Sequence, residues 1–314
     1  MEILRFNIHT PVTNQKRISA CIGYFDGLHK GHQELIAEVK RIAKETNTTP
    51  ALITFDPDPW CVIHKLRHIS HITPMRHRLE IGATLGIEKW IVLDFDEDMA
   101  RLSHEQFHEL VLGPLNIDTL VCGFDFHYGY RGEGNVETLN QQQAFHVRVI
   151  REISSQNEKI SSTRIEHLIE DGNMEDAAYM MGRPYELRGI VKSGNRIGRK
   201  YGFPTANLQL DADYVLPKMG VYVGSVYVND AWWMAIINVG HNPSFNYQHN
   251  TSIEAFILDF HAMIYDKSVK YQFHHYLRGE KRFENMDALK QQLERDTQSA
   301  RTYFKDRKGV QICD

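Results

Sequence analysis

The sequence predicts an α/β domain on a parallel sheet, followed by an antiparallel β-barrel with a C-terminal helix. Three observations predict it. Residues 18–151 alternate short apolar runs with amphipathic helix patterns. After Gly182-Arg183-Pro184 the texture changes to closely spaced strands separated by Gly, Pro and Asn. Met286 to Phe304 then reads as one long amphipathic helix, placed across the barrel.

In chain order, Ile18 to Tyr24 is a buried strand, and Gly31 to Glu45 a helix with Leu35, Ile36, Val39, Ile42 and Ala43 on one face. Pro50 to Phe55, Trp90 to Phe95, Thr119 to Gly123 and His146 to Arg151 are further strands. Met75 to Leu85 and Ser103 to Leu112 are helices between them. Such alternation implies parallel strands with helices on both faces, and ligands beyond the strands' carboxyl ends. Ser161 to Asp171 is a helix with a capping box of Thr163 and Glu166, and Met174 to Met181 follows. The break at 182–184 divides the chain into domains 1–183 and 184–314. Tyr185 to Lys192, Gly220 to Val228, Trp232 to Val239, Ser252 to Phe260 and Lys270 to Leu277 are the barrel strands.

A chain of 314 residues can bury two ordinary cores. Its 42% hydrophobic and 24% charged content is that of a soluble globular protein. The net charge of −4 argues against a general nucleic-acid-binding role, so phosphate binding must come from local arrangement. Cys21, Cys61, Cys122 and Cys313 form no C-x-x-C pair, which fits a reducing cytoplasm. The N-terminus lacks an apolar signal core, and no run reaches membrane-spanning length.

Two stretches carry phosphate chemistry. Residues 194–207 place three glycines, two arginines and a lysine before Pro204-Thr205-Ala206-Asn207. Gly198, Arg199 and Gly202 can bring backbone N–H groups and a cation to an anion, and Thr205 and Asn207 offer neutral oxygens suited to Mg²⁺. Far upstream, Gly23-Tyr24-Phe25-Asp26-Gly27-Leu28-His29-Lys30-Gly31-His32 links the first strand to its helix. His29 and His32 stand at a helix N-terminus, where N–H groups and the dipole favour phosphate. Ser161-Ser162-Thr163-Arg164 offers hydroxyls and a guanidinium at another helix start, where plain capping is the competing reading.

The chain resembles the bacterial bifunctional riboflavin kinase/FAD synthetase family at Gly23–His32, Thr54-Phe55-Asp56-Pro57, Gly123-Phe124-Asp125-Phe126, Ser161–Arg164 and Gly202–Asn207. Gly182-Arg183-Pro184-Tyr185 is similar to that family's inter-domain junction. The resemblance implies a Rossmann-like nucleotidyltransferase domain that adenylylates FMN to FAD, then a riboflavin kinase barrel that makes FMN, both using ATP and Mg²⁺. It implies that Gly23, Phe25, Asp26, His29, Gly31 and His32 contact ATP, with Ser161 to Arg164 on the triphosphate tail. Asp125 and Phe126 would line the flavin pocket. In the barrel, Gly198, Arg199 and Gly202 would fold over ATP, Thr205 and Asn207 would hold Mg²⁺ and phosphate, and Arg278 would approach a flavin phosphate. Glu254 would be the catalytic carboxylate, because a ribityl hydroxyl is a weak nucleophile that needs a base.

Three positions depart from the family pattern. Asp58 replaces a histidine, Asp125 stands where some members have Asn, and Ile197 stands where relatives often have Arg. A carboxylate at 58 repels substrate phosphate unless it is paired. A member retaining one activity, and a non-catalytic flavin- and ATP-binding regulator, therefore stay open as alternatives, as does homo-oligomer formation. The remaining signals read as structural. His64 and His68 have helical spacing, and with His71 they suggest a loop over the adenylyl site rather than a zinc set. His274 and His275 would face opposite sides of a strand, and Trp232-Trp233 reads as one core and one surface ring.

Overall fold

The computed structural model describes residues 1–10, 13, 16–151, 154–155, 158–193, 203–241 and 251–307. Gly198, Arg199, Gly202, Ile197 and Cys313 lie outside the described residues. The chain divides into two compact units, Met1–Ser162 and Thr163–Asp314.

The first unit contains strands β1 (Glu2–Phe6), β2 (Ile18–Ile22), β3 (Thr49–Asp56), β4 (Lys89–Asp94), β5 (Ile117–Gly123) and β6 (His146–Ile150). They form one parallel sheet in the order β1-β4-β3-β2-β5-β6. Helices α1 (Lys30–Thr46), α2 (Pro59–Ile63), α3 (Met75–Thr84), α4 (His104–Phe107) and α5 (Val136–Gln141) connect them. A two-stranded ribbon, β7 (Ser154–Ser155) and β8 (Glu158–Lys159), ends the unit. Every residue of β2 is buried, as a central parallel strand covered on both faces requires. One core gathers Ala20, Ile53, Leu93 and Leu120, and the other Cys21, Leu52, Trp90 and Val39.

From β2 the chain runs to β3 and β4 on one side, then crosses to β5 and β6 on the other. The carboxyl ends of β2 and β5 therefore flank the crevice where strand order reverses, the place such sheets bind ligands.

Sequence patterning missed β1, whose exposed Glu2, Ile3 and Arg5 give an edge strand little apolar signal. The helix expected over Ser103 to Leu112 is α4, with Ser103 and Gln106 as a capping box, continued by a π-helical turn at His108–Leu112. Helix α2 stops at Ile63, so His64 and His68 do not share a helix face; the His64 ring stacks on Trp60 instead.

The second unit opens with α6 (Ser162–Glu170) and α7 (Met174–Met181). Because α6 begins at Ser162, Ser161 holds the position before it, and Thr163, expected there, lies inside the helix. Three consecutive hydroxyl residues, Ser161 to Thr163, could each start that helix, and the pattern selected a cap two residues too late.

The barrel follows: β9 (Tyr185–Lys192), β10 (Thr205–Leu210), β11 (Gly220–Val228), β12 (Ala231–His241), β13 (Thr251–Ile257) and β14 (Ser268–Arg278). These strands close in the order β10-β13-β12-β11-β14-β9, all neighbours with assigned direction being antiparallel. Helix α8 (Met286–Asp306), capped by Asn285, packs Ala300 with Val221, Val223, Met234 and Ile236 on the barrel's outer face. His274 and His275 do not face opposite sides as expected: the pairing of β14 with β11 shifts register there, and both rings lie against Tyr303 of α8, at 6.1 and 5.8 Å. Trp232 and Trp233 do not divide into core and surface. Both are half-buried, against Tyr227 and Phe260 respectively.

Candidate functional site

The first site lies in a cavity of about 890 Å³ at the carboxyl ends of β2, β3 and β5. The loop leaving β2 is bent hard: Phe25, Gly27 and Leu28 have φ of 60°, 76° and 40°. Left-handed conformations at non-glycine residues persist only where surrounding contacts hold them. Here the holder is Asp26. Its buried carboxylate accepts from Gly27 N (2.8 Å), Ile72 N (2.9 Å) and Thr73 N (2.8 Å), and faces Arg78 Nη2 at 3.4 Å. Arg78 also donates to the Tyr24 carbonyl at 2.7 Å. The Asp26 side chain is thus occupied below the site, not turned toward a phosphate as its place in the motif suggested.

That loop delivers the histidine pair. His29 is the N-cap of α1, its Nδ1 accepting from His32 N at 3.3 Å. Nδ1 as acceptor leaves Nε2 to carry the proton and act as donor. The two rings stack with centroids 3.6 Å apart and a 16° tilt, and the Phe25 ring meets His32 edge-on at 5.1 Å. Gly31 makes this stack possible: a Cβ there would lie 3.0 Å from His29 Cε1 and 3.1 Å from Nδ1.

Ser161 and Ser162 line the same cavity, and Ser162 Oγ donates to the Asp26 carbonyl at 3.0 Å. Thr163 and Arg164 follow in the first turn of α6. Gly23, Phe25, Gly31, Asp125 and Phe126 all line the cavity. Phe126 stacks on Tyr128 at 5.6 Å, and Tyr128 is fixed by His108 Nε2 (2.6 Å) and Thr138 Oγ1 (2.8 Å). Asp125 pairs with Lys159.

Asp58 is buried and caps α2 by accepting from Trp60 N at 2.7 Å. Its charge is spent on a helix start rather than left open to phosphate. Tyr24 bonds His71 Nδ1 at 3.0 Å, and burial pushes its phenol well above the usual range, so it remains protonated.

Sequence reasoning missed Trp60 and Tyr128 as cavity walls. Trp60 is 56% exposed, and a tryptophan following Pro59 beyond a strand end was the available signal.

The second site is on the outer face of the barrel. Register pairs Asn207 of β10 with Glu254 of β13, and Glu254 with Asn238 of β12. Directly paired residues on neighbouring strands point to the same side, so two amides flank one carboxylate. Thr205, two residues along the same face, donates its hydroxyl to Glu254 Oε2 at 3.0 Å. The apolar partners Ala206 and Ala255 point inward and are buried.

Asn238 was not anticipated, although an amide interrupting the apolar run Met234 to Val239 marks it. Arg278 is engaged by the buried Asp296 of α8, Nη2 to Oδ2 at 2.7 Å. Its guanidinium fastens the helix to β14 instead of standing open to a flavin phosphate. Among the described residues one further group brings together three metal-ligating side chains, His104, Glu105 and Glu133, half-buried to exposed.

Comparison with known proteins gives two family matches, FAD synthetase over residues 12–164 and riboflavin kinase over residues 181–304. A bifunctional riboflavin kinase/FMN adenylyltransferase of Listeria monocytogenes is 35% identical over 95% of this chain and 97% of its own length. One from Bacillus subtilis is 34% identical over 94% and 95%. A solved structure from Streptococcus pneumoniae, described as a macrolide-efflux protein, matches with TM-score 0.88 and 30% identity, covering 96% of this chain and 99% of that one. The efflux description belongs to that protein; among the described residues here, no helix is long and apolar enough to cross a membrane.

Proposed function

Because this chain belongs to the bifunctional riboflavin kinase/FMN adenylyltransferase family, we propose the following division of labour between its two sites. The enzyme phosphorylates riboflavin to FMN and adenylylates FMN to FAD, with ATP as co-substrate in both steps.

In adenylyl transfer an FMN phosphate oxygen attacks the α-phosphorus of ATP; the new P–O bond forms as the bond to pyrophosphate breaks. His29 and His32 donate to the α-phosphate as its charge builds, from a helix N-terminus that favours the same charge. Ser161, Ser162, Thr163 and Arg164 hold the departing pyrophosphate, Gly23, Phe25 and Gly31 shape the bed, and Asp125 and Phe126 hold the flavin. Asp26 contributes by fixing the loop, through the contacts of its buried carboxylate. The observation that carries this reading is the stacked histidine pair capping α1 inside a cavity large enough for a drug-sized ligand.

In the kinase step Glu254 orients the terminal ribityl hydroxyl and takes its proton while that oxygen attacks the γ-phosphorus and ADP leaves. The Thr205 hydroxyl on one carboxylate oxygen leaves the other for the substrate. Thr205 and Asn207 supply neutral oxygens beside a carboxylate, a donor set that suits Mg²⁺. Bound there, Mg²⁺ would neutralise charge between the β- and γ-phosphates. Gly198, Arg199 and Gly202 cover the ATP phosphates, and Arg278 acts by holding α8 rather than by touching phosphate. We place the domain division after Arg183, supported by the kinase match beginning at residue 181, although by packing the two compact units part earlier, between Ser162 and Thr163. A cytoplasmic site of action fits the buried thiols of Cys21 and Cys122, the latter pushed up to about 12 by burial and so unreactive.

His29→Ala with His32→Ala should abolish FAD formation and spare FMN formation, and Glu254→Ala should do the reverse. Chromatographic separation of flavins after incubation with ATP reads both. Loss of both activities in either variant would contradict separate sites.

A further inference from the structure

The cavity of the first unit holds a lysine in a position its chemistry makes useful. Lys159 pairs with Asp125, and its Nζ lies 5.0 Å from the Phe124 ring centroid. All three residues line the cavity. Lys159 ends β8, two residues before Ser161. The carbonyl of the intervening Ile160 lies 3.8 Å from where a Cβ on Gly31 would stand. The ammonium sits on the Asp125 side of the cavity, on the segment that leads through Ile160 to the histidine side.

Adenylyl transfer brings one phosphate against another, and like charges at contact distance repel. A cation between them relieves that repulsion, and it also separates FMN, which carries the phosphate, from riboflavin, which does not. Arg101 and Arg131, also on the cavity wall, are engaged with Glu97 at 2.9 Å and over Tyr130 at 5.2 Å, and Lys65 and Arg151 line it too, but Lys159 is the one paired with the Asp125 carboxylate. The Lys159–Asp125 pair is half-exposed on both sides, 42% and 51%. An exposed pair of this kind contributes little and exchanges readily for a more highly charged partner.

We propose that Lys159 determines specificity for the phosphorylated flavin: its ammonium leaves Asp125 and takes the FMN phosphate, holding an oxygen toward His29 and His32. The released Asp125 carboxylate then accepts from the flavin. Lys159 forms no covalent bond; the only bonds that change are those at the α-phosphorus. The inference rests on the placement of FMN in this cavity.

The test uses the full chain with Lys159→Met and Lys159→Arg, measuring FAD formation against FMN and ATP concentrations separately. Lys159→Met should raise KM for FMN about 10- to 100-fold, or about 1.4 to 2.8 kcal/mol at 1.4 kcal/mol per tenfold. KM for ATP should stay within about twofold, as expected when only uniform binding of one substrate is removed. Lys159→Arg should restore KM for FMN to within about threefold, since guanidinium also pairs with phosphate. Riboflavin phosphorylation by the same variants should be unchanged, which checks folding of the preparation. If unaltered protein makes no FAD from FMN and ATP, the cavity assignment itself falls. If it does, and Lys159→Met keeps its KM for FMN, or loses FMN and ATP binding equally, the Lys159 proposal is overturned.

Discussion

Arg78→Met tests how the histidine loop is held. The Arg78–Asp26 pair is among the most buried in the described structure, with side chains 1% and 3% exposed. Removing one member of a buried pair costs about 3–5 kcal/mol, because the other charge stays buried without its counter-ion. Asp26 would keep three backbone N–H donors, from Gly27, Ile72 and Thr73, which favours the lower end. The variant also loses the 2.7 Å bond to the Tyr24 carbonyl. Together these give a loss of about 3 kcal/mol. For a unit of this size that lowers its melting temperature by roughly 6–12 °C. Scanning calorimetry, with FAD and FMN production measured on the same samples, reads the effect. FAD formation should fall further than folding alone explains, because Phe25 and Leu28 are released from their strained conformations, while FMN formation continues. A variant that melts within about 1 °C of the parent and makes FAD at the parental rate would refute the reasoning.

Other consequences are equally specific. Gly31→Ala should displace the His29 ring by a few tenths of an ångström and lower kcat for FAD formation by about tenfold, read by steady-state kinetics, with kinase activity as the control. His274 is buried against Ser225 Oγ at 3.0 Å, and burial, then Arg307, lower its pKa to about 4. Its neutral form is favoured in the fold, so its contribution is complete above pH 6.5 and is lost as pH falls from 6.5 toward 4. The loss amounts to roughly 3 kcal/mol. Urea unfolding of the kinase unit at pH 7 and pH 4 should show it, and His274→Gln should flatten the difference. Asp296→Ala should strand the half-buried Arg278 and detach α8, costing about 3 kcal/mol in the same assay.

The parallel sheet was legible because its strands are uniform apolar runs and its helices carry clear apolar stripes, as Leu35, Ile36, Val39 and Ile42 do on α1. The histidine pair was legible because three-residue spacing after a strand fixes a helix N-terminus. Strand β1 was hidden by its half-polar, edge-strand composition. Strand β10 was hidden behind Pro204: its Thr205 and Asn207 advertise chemistry, and their role as strand residues emerges only from pairing with β13. Side-chain direction was the other illegible quantity. Asp26 and Arg278 both sit in suggestive motifs, yet each turns toward a buried partner, Arg78 and Asp296, more than fifteen residues away in sequence. Asp58 shows the converse: the carboxylate expected to repel phosphate is turned to the helix it starts, accepting from Trp60 N.

The most direct measurement follows the flavins over time when the purified chain is given riboflavin, ATP and Mg²⁺. FMN should accumulate first and then decline as FAD appears, with ADP and pyrophosphate released in step. Riboflavin that stays unconverted, or FMN that is formed but never carried on to FAD, would contradict two working sites on one polypeptide.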